Sequence, residues 1–111
     1  MMISAQNVVE KMNLEVLCLP DPDAEITDAY TGDLLSWVMG RSSAGQAWVT
    51  IMTNINIVAV ASLQELPLVI LCDNSRPDDD VIARARENGI NLAMTAESSF
   101  HVCAQLAKLL E

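Results

Sequence analysis

Residues Ala47 to Asp73 read AWVTIMTNINIVAVASLQELPLVILCD, and how this stretch is parsed decides the fold. It holds two β-rich apolar runs, Ala47–Met52 and Pro67–Cys72, with no charged side chain between them before Glu65. Each run has the length of one strand, and neither shows the polar alternation of a strand with a solvated face. Both therefore read as strands of a parallel sheet covered on its two sides. The residues between them are ambiguous by propensity, because Ile55, Ile57, Val58 and Val60 are β-branched. Length decides against one strand: a run from Trp48 to Leu63 would far exceed the usual ~5–6 residues. Thr53-Asn54 supplies a break and an N-cap, while Ala59, Ala61, Ser62, Leu63 and Gln64 suit a helix. The stretch is read as strand, helix, strand.

Toward the N-terminus, Ser4 caps a short helix carrying Val8, Val9 and Met12, which Asn13 closes in a left-handed conformation. Glu15–Leu19 follows as a strand, ended by the stiff loop Pro20-Asp21-Pro22-Asp23. Glu25–Tyr30 is a second short strand. Gly32-Asp33 leads into a helix over Leu34–Met39, with Leu34, Leu35 and Val38 expected inward and Gly40 in the C-terminal turn. Toward the C-terminus, Pro77 with Asp78, Asp79 and Asp80 opens a helix that Asn88-Gly89 ends, since acids in a first turn complement the helix dipole. Ile90–Met94 is a strand. Ser98 or Ser99 starts a last helix with the expected apolar stripe Phe100, Cys103, Ala107 and Leu110. Strands alternating with helices from Ala47 onward predict an α/β, three-layer domain with a mainly parallel central sheet and right-handed crossovers.

With 111 residues and 51% hydrophobic content, the chain is expected to form a single domain over 1–111. A formal charge of −9 with only six basic residues argues against nucleic acid, whose phosphates are bound through Lys and Arg. The three cysteines form no CxxC and are odd in number, which argues against a disulfide framework or a structural zinc site. A reducing, cytoplasmic setting is expected, and MMISAQNVVEKMN has neither the basic start nor the apolar run of a signal peptide. Ser42–Gln64 is uncharged and long enough to be considered as a membrane span. Thr50, Thr53, Asn54 and Asn56 would then lie in hydrocarbon, so no membrane association is expected.

Three segments in their order, Tyr30-Thr31-Gly32-Asp33-Leu34-Leu35-Ser36, Trp48-Val49-Thr50-Ile51 and Asn56-Ile57-Val58-Ala59-Val60-Ala61, resemble a small DRTGG-domain protein. The likeness extends through Pro77–Glu87 to Gly89-Ile90 and so spans nearly the whole chain. DRTGG domains are similar to the N-terminal domain of HPr kinase/phosphorylase, and also occur beside CBS domains and in phosphotransacetylases. The resemblance implies a regulatory or assembly module, dimeric or oligomeric, without the kinase's phosphate-binding loop. Free-standing relatives are associated with anaerobes and hydrogenase-linked gene sets. Where many members carry a Gly-Asp-Arg turn before the central helix, this chain has Thr53-Asn54-Ile55, so a contact through that arginine is not carried over.

Candidate chemistry is sparse. Thr53, Asn54 and Asn56, with Asp33, are the expected ligand-binding residues, because helix N-termini at the carboxyl edge of a parallel sheet present free amides. The competing reading is a plain capped helix start. GxxxxGK[ST] is absent. Asp21, Asp23 and Asp73 follow strand ends and would have to converge to hold Mg²⁺ as in a phosphoacceptor, but Lys11 and Lys108, the only lysines, are on helices. His101 shares a helix face with Gln105 and Lys108 and reads as exposed. Cys18, Cys72 and Cys103 read as packed thiols, with redox sensing by Cys72 as the alternative. Trp37 and Trp48 fit either a core or an interface. The expected function is non-catalytic, with no catalytic residues, metal or cofactor: a homodimer or higher homo-oligomer that takes a small polar ligand or a protein partner. The alternative is a Mg-dependent phosphoacceptor or small enzyme using the strand-end carboxylates.

Overall fold

The decisive stretch folds as strand, helix and strand in the computed structural model, which describes residues 2–111. In chain order the elements are β1 (Ile3–Ser4), α1 (Ala5–Lys11), β2 (Glu15–Cys18), β3 (Glu25–Ile26), β4 (Asp28–Thr31), α2 (Leu35–Arg41) and β5 (Gln46–Thr50). They continue with α3 (Asn56–Leu63), β6 (Val69–Leu71), α4 (Asp79–Glu87), β7 (Leu92–Met94) and α5 (Ser99–Leu109). The main sheet has five strands in the order β2-β7-β6-β5-β4, parallel throughout except for β2, which runs antiparallel to β7. β1 and β3 pair antiparallel in a separate small ribbon.

Helices cover both faces of the sheet, which is why β6 and β7 carry apolar residues at every position and β5 does from Ala47 to Val49. Successive residues of β5 and β6 point to opposite sides. Trp48, Val69 and Leu71 enter a core with Val38 of α2, Ile57, Val58, Val60 and Ala61 of α3, and Val81 and Ala85 of α4. Ala47, Val49, Leu68, Ile70 and Ala93 enter the second core with Val8 and Val9 of α1 and Val102 and Leu106 of α5. The expected three-layer α/β arrangement is the one observed.

Local signals account for the helix boundaries. Ser4 Oγ accepts from Asn7 N and Ser98 Oγ from His101 N, so the first and last helices have side-chain N-caps. Asn13 has φ 52, the left-handed turn expected of it.

Four expectations are corrected. Glu25–Tyr30 is not one strand: Thr27 N donates to Gly45 O, and the chain passes there from the small ribbon to the main sheet. The first central strand ends at Thr50, because Asp33 Oδ1 takes the Ile51 amide out of the ladder, leaving Ile51 46% exposed. Leu34 is 59% exposed instead of inward, since it lies at the N-cap of α2 before the helix turns toward the sheet. On α5 the buried pair is Val102 and Leu106; Cys103 and Leu110 lie at the margin of the core, while Phe100 and Ala107 face solvent.

Candidate ligand cleft at the carboxyl edge

β4, β5, β6 and β7 are parallel, so their C-terminal ends and the loops that follow share one edge of the sheet. At this edge Asp33 acts as a staple between loops. Its Oδ1 accepts from Thr50 Oγ1 at 2.7 Å and from Ile51 N at 3.0 Å, and Thr50 Oγ1 accepts from Met52 N at 3.2 Å. The start of α3 is also satisfied internally. Asn54 Oδ1 accepts from Asn56 N at 2.8 Å and Asn54 O accepts from Ile57 N at 3.2 Å. The amides expected to be free for an anion are thus consumed by Asn54 itself, as in a capped helix start.

Beyond this internal bonding a cleft of about 370 Å³ opens between the loop before α3 and the loop before α4. Thr53, Asn54 and Ile55 line one wall and Arg76, Asp78, Asp80 and Val81 the other. Arg76 also pairs with Glu15, and both side chains remain more than half exposed, so the pair is weak and exchangeable. The structure therefore brings Thr53 and Asn54 together. Asn56 instead lines an adjacent groove with Ile55, Ala59, Leu63, Arg84 and Asn88, and Asp33 lines neither. Arg76, Asp78 and Asp80 were missed as cleft residues. Arg76 carries a usable signal: it is the only basic residue between Arg41 and Arg84, and it closely follows the apolar run of a central strand. With one cation and two carboxylates, the cleft suits a polar ligand of low negative charge.

The carboxylates of the phosphoacceptor alternative do not converge. β2 is antiparallel, so the loop after it lies at the opposite edge, where Asp21 N donates to Asn91 Oδ1 at 2.9 Å and Asn91 Nδ2 donates to Asp21 O at 2.6 Å. Asp73 N bonds to Glu97 O, beyond the far end of β7. Among the described residues, no three of His, Cys, Asp and Glu are grouped so as to hold a metal ion. Burial, reinforced by Asp73, Cys103 and Asp33, pushes the Cys72 thiol up to about 12, which makes its thiolate inaccessible near neutral pH. Burial also raises the Cys18 thiol, against the lowering influence of Arg86. His101 is exposed, 3.6 Å from Glu97.

Asn91 was not singled out by its sequence context, yet it is a buried polar residue at 2% exposure. It ties the Asp21 backbone to β7 and donates to Pro67 O at 2.9 Å.

The arrangement defines a three-layer α/β domain of DRTGG-like fold with an open cleft at its carboxyl edge. Among solved structures it is similar to the CBS and DRTGG domains of the regulatory region of a pyrophosphatase from Clostridium perfringens, crystallised with its activator diadenosine tetraphosphate. The TM-score is 0.71 at 16% identity, over 91% of this chain and 44% of that one. This chain thus spans less than half the length of its structural neighbour, and the likeness is one of fold. No protein-family model matches the sequence, and no curated protein matches it. No helix among the described residues is long and apolar enough to cross a membrane.

Proposed function

We propose that this chain is a non-catalytic regulatory or assembly module that binds a small polar ligand in the cleft lined by Thr53, Asn54, Arg76, Asp78 and Asp80, and self-associates. The observation that carries the reading is the fold it shares with an activator-binding regulatory region, together with a cleft where strand-end loops meet. Its volume of about 370 Å³ is within the ~300–1,000 Å³ of small-molecule sites. One arginine against two aspartates disfavours a polyphosphate. Thr53 and Asn54 supply hydroxyl and amide groups instead, so the ligand is a nucleoside-sized polar molecule with little negative charge. Self-association as a homodimer or higher homo-oligomer and a link to hydrogenase-associated anaerobic metabolism belong to the same proposal and follow from the DRTGG likeness; a protein partner is supported by the acidic charge, and a cytoplasmic setting by the three unpaired cysteines.

A thermal-stability screen with nucleosides, nucleotides including diadenosine tetraphosphate, and polar metabolites tests this. Ligand at one hundred times its Kd contributes about 2.7 kcal/mol, which raises Tm by about 10 °C for a domain of this size. Arg76→Ala or Asn54→Ala should remove the shift while leaving the unliganded Tm within a few degrees. A binder whose shift survives both substitutions places the site elsewhere.

A further inference from the structure

We propose that the ligand of the carboxyl-edge cleft is a zwitterion of the free amino-acid class, whose carboxylate takes Arg76 from Glu15 and whose ammonium lies against Asp78 and Asp80. The inference rests on the small-ligand binding of the proposed function and names the chemical class of that ligand.

The topology puts a carboxylate on Arg76 before any ligand arrives. β2 runs antiparallel to β7, so its first residue, Glu15, lies opposite Met94 at the edge where the parallel strands end. Arg76, in the loop that follows β6 at the same edge, pairs there with the Glu15 carboxylate through Nη2. The guanidinium is thus held where it grips a carboxylate, with only one of its nitrogens engaged. The two side chains are 54% and 56% exposed, so the pair is weak and an incoming carboxylate displaces Glu15 at small cost.

The rest of the cleft holds unspent polar groups. Among the described residues, the carboxylates of Asp78 and Asp80 pair with no cation, Arg76 included, and accept no hydrogen bond. Asp78 stands at the N-cap of α4 without capping it through its side chain. Acids here complement the helix dipole, but Asp79, which serves that end equally well, does not line the cleft, whereas Asp78 and Asp80 do. The Thr53 hydroxyl forms no hydrogen bond within the chain, and Asn54 spends Oδ1 on Asn56 N while its Nδ2 donors stay free.

These charges select against the simpler ligands. A purely anionic molecule meets two carboxylates beside one arginine, and a purely cationic one gains nothing from Arg76. An uncharged molecule strips water from three ionic groups without replacing it. One carboxylate and one ammonium on the same small molecule answer both signs, with Thr53 and Asn54 left for its remaining polar atoms and Ile55 and Val81 for its apolar ones.

Free L-amino acids titrated at millimolar concentration into the isotope-labelled full chain test the assignment on the wild type, Glu15→Gln and the double variant Asp78→Asn, Asp80→Asn. The best binder is compared with its decarboxylated amine and its deaminated acid. The expected result is an amino acid that saturably shifts the amides of Thr53, Asn54 and Arg76, with each truncated analogue at least ~10-fold weaker, the loss of one charge-assisted hydrogen bond. Glu15→Gln should tighten the amino acid and the deaminated acid by about 2–5-fold, the factor a surface ion pair supplies, and leave the amine unchanged. The double variant should lose the preference for the amino acid over the deaminated acid. A Glu15→Gln chain that binds the amino acid no more tightly, or a double variant that keeps the preference, overturns the assigned contacts. If no amino acid binds, the zwitterion is overturned; a nucleoside or other uncharged ligand that shifts the same amides then leaves the proposed function standing, and ligands that move only residues outside the cleft overturn that as well.

Discussion

Leu71→Ala and Ile51→Ala should separate by several kcal/mol, although both positions belong to the two apolar runs that decide the fold. Leu71 is fully buried on β6 and packs into the core that holds Trp48, Val69 and Leu92. Truncating a leucine in such a setting costs about 2–5 kcal/mol, the transfer loss plus the cavity left behind. Ile51 lies beyond the end of β5 and is 46% exposed, so its truncation costs about 0.5 kcal/mol, as expected at a surface position. At roughly 4 °C per kcal/mol, Leu71→Ala lowers Tm by on the order of 10 °C and Ile51→Ala by about 2 °C. Urea unfolding followed by the emission of Trp48 measures both, with unchanged m-values showing that stability alone has moved. The same contrast applies to charge: Val49→Asp should abolish folding, and Ile51→Asp should not. Equal losses at Leu71 and Ile51 would refute the placement of the strand end and the role given to Asp33.

Further expectations follow from single side chains. Asn91→Ala strands the backbone groups it bonds at Asp21 and Pro67 and should cost about 2–3 kcal/mol, with amide exchange at Asp21 accelerated more than at β6. Asp33→Ala removes the acceptor of the Thr50 hydroxyl and the Ile51 amide and should cost about 1–2 kcal/mol; urea midpoints against the wild type measure it, and an unchanged value would show that the loops do not depend on the staple. Native Cys72 should resist iodoacetamide until the protein is unfolded. Because its folded thiol is held up to about 12, the folded chain keeps a proton that the unfolded chain loses. Its contribution to stability is therefore full below the ordinary thiol range of ~8.5 and falls as pH rises from there toward the folded value. Urea midpoints measured over alkaline pH should show that loss in the wild type and a smaller one in Cys72→Ala.

The sheet was legible because burial on both faces leaves a continuous apolar signature in Ala47–Met52 and Pro67–Cys72, and the central helix because length overrode β-branched propensity. Ser4, Asn13 and Ser98 were readable because caps and left-handed turns depend on a residue's own side chain. What escaped depends on partners remote in sequence. Whether Ile51 stays in the ladder is decided by Asp33, eighteen residues earlier. Phe100 and Val102 are both apolar, and only the position of α5 over β4 and β5 selects Val102 for the core. The candidate site was half legible for the same reason. Asn54 was identified from its place before the helix, but its acceptor is spent on Asn56, and the opposite wall at Arg76, Asp78 and Asp80 comes from a loop more than twenty residues away. The carboxylates Asp21 and Asp73 look alike as strand-end residues. The antiparallel direction of β2, invisible in local sequence, puts them at opposite edges.

Binding of a small polar ligand at the carboxyl edge, as proposed, is tested most directly by amide chemical shifts of isotope-labelled protein titrated with the strongest binder from the stability screen. Saturable shifts are expected to concentrate at Thr53, Asn54, Ile55, Arg76, Asp78 and Asp80, with the amides of Asp21 and Asn91 at the opposite edge unmoved. Saturable shifts centred on that opposite edge, or on α5, with Thr53 to Ile55 unchanged, would contradict it.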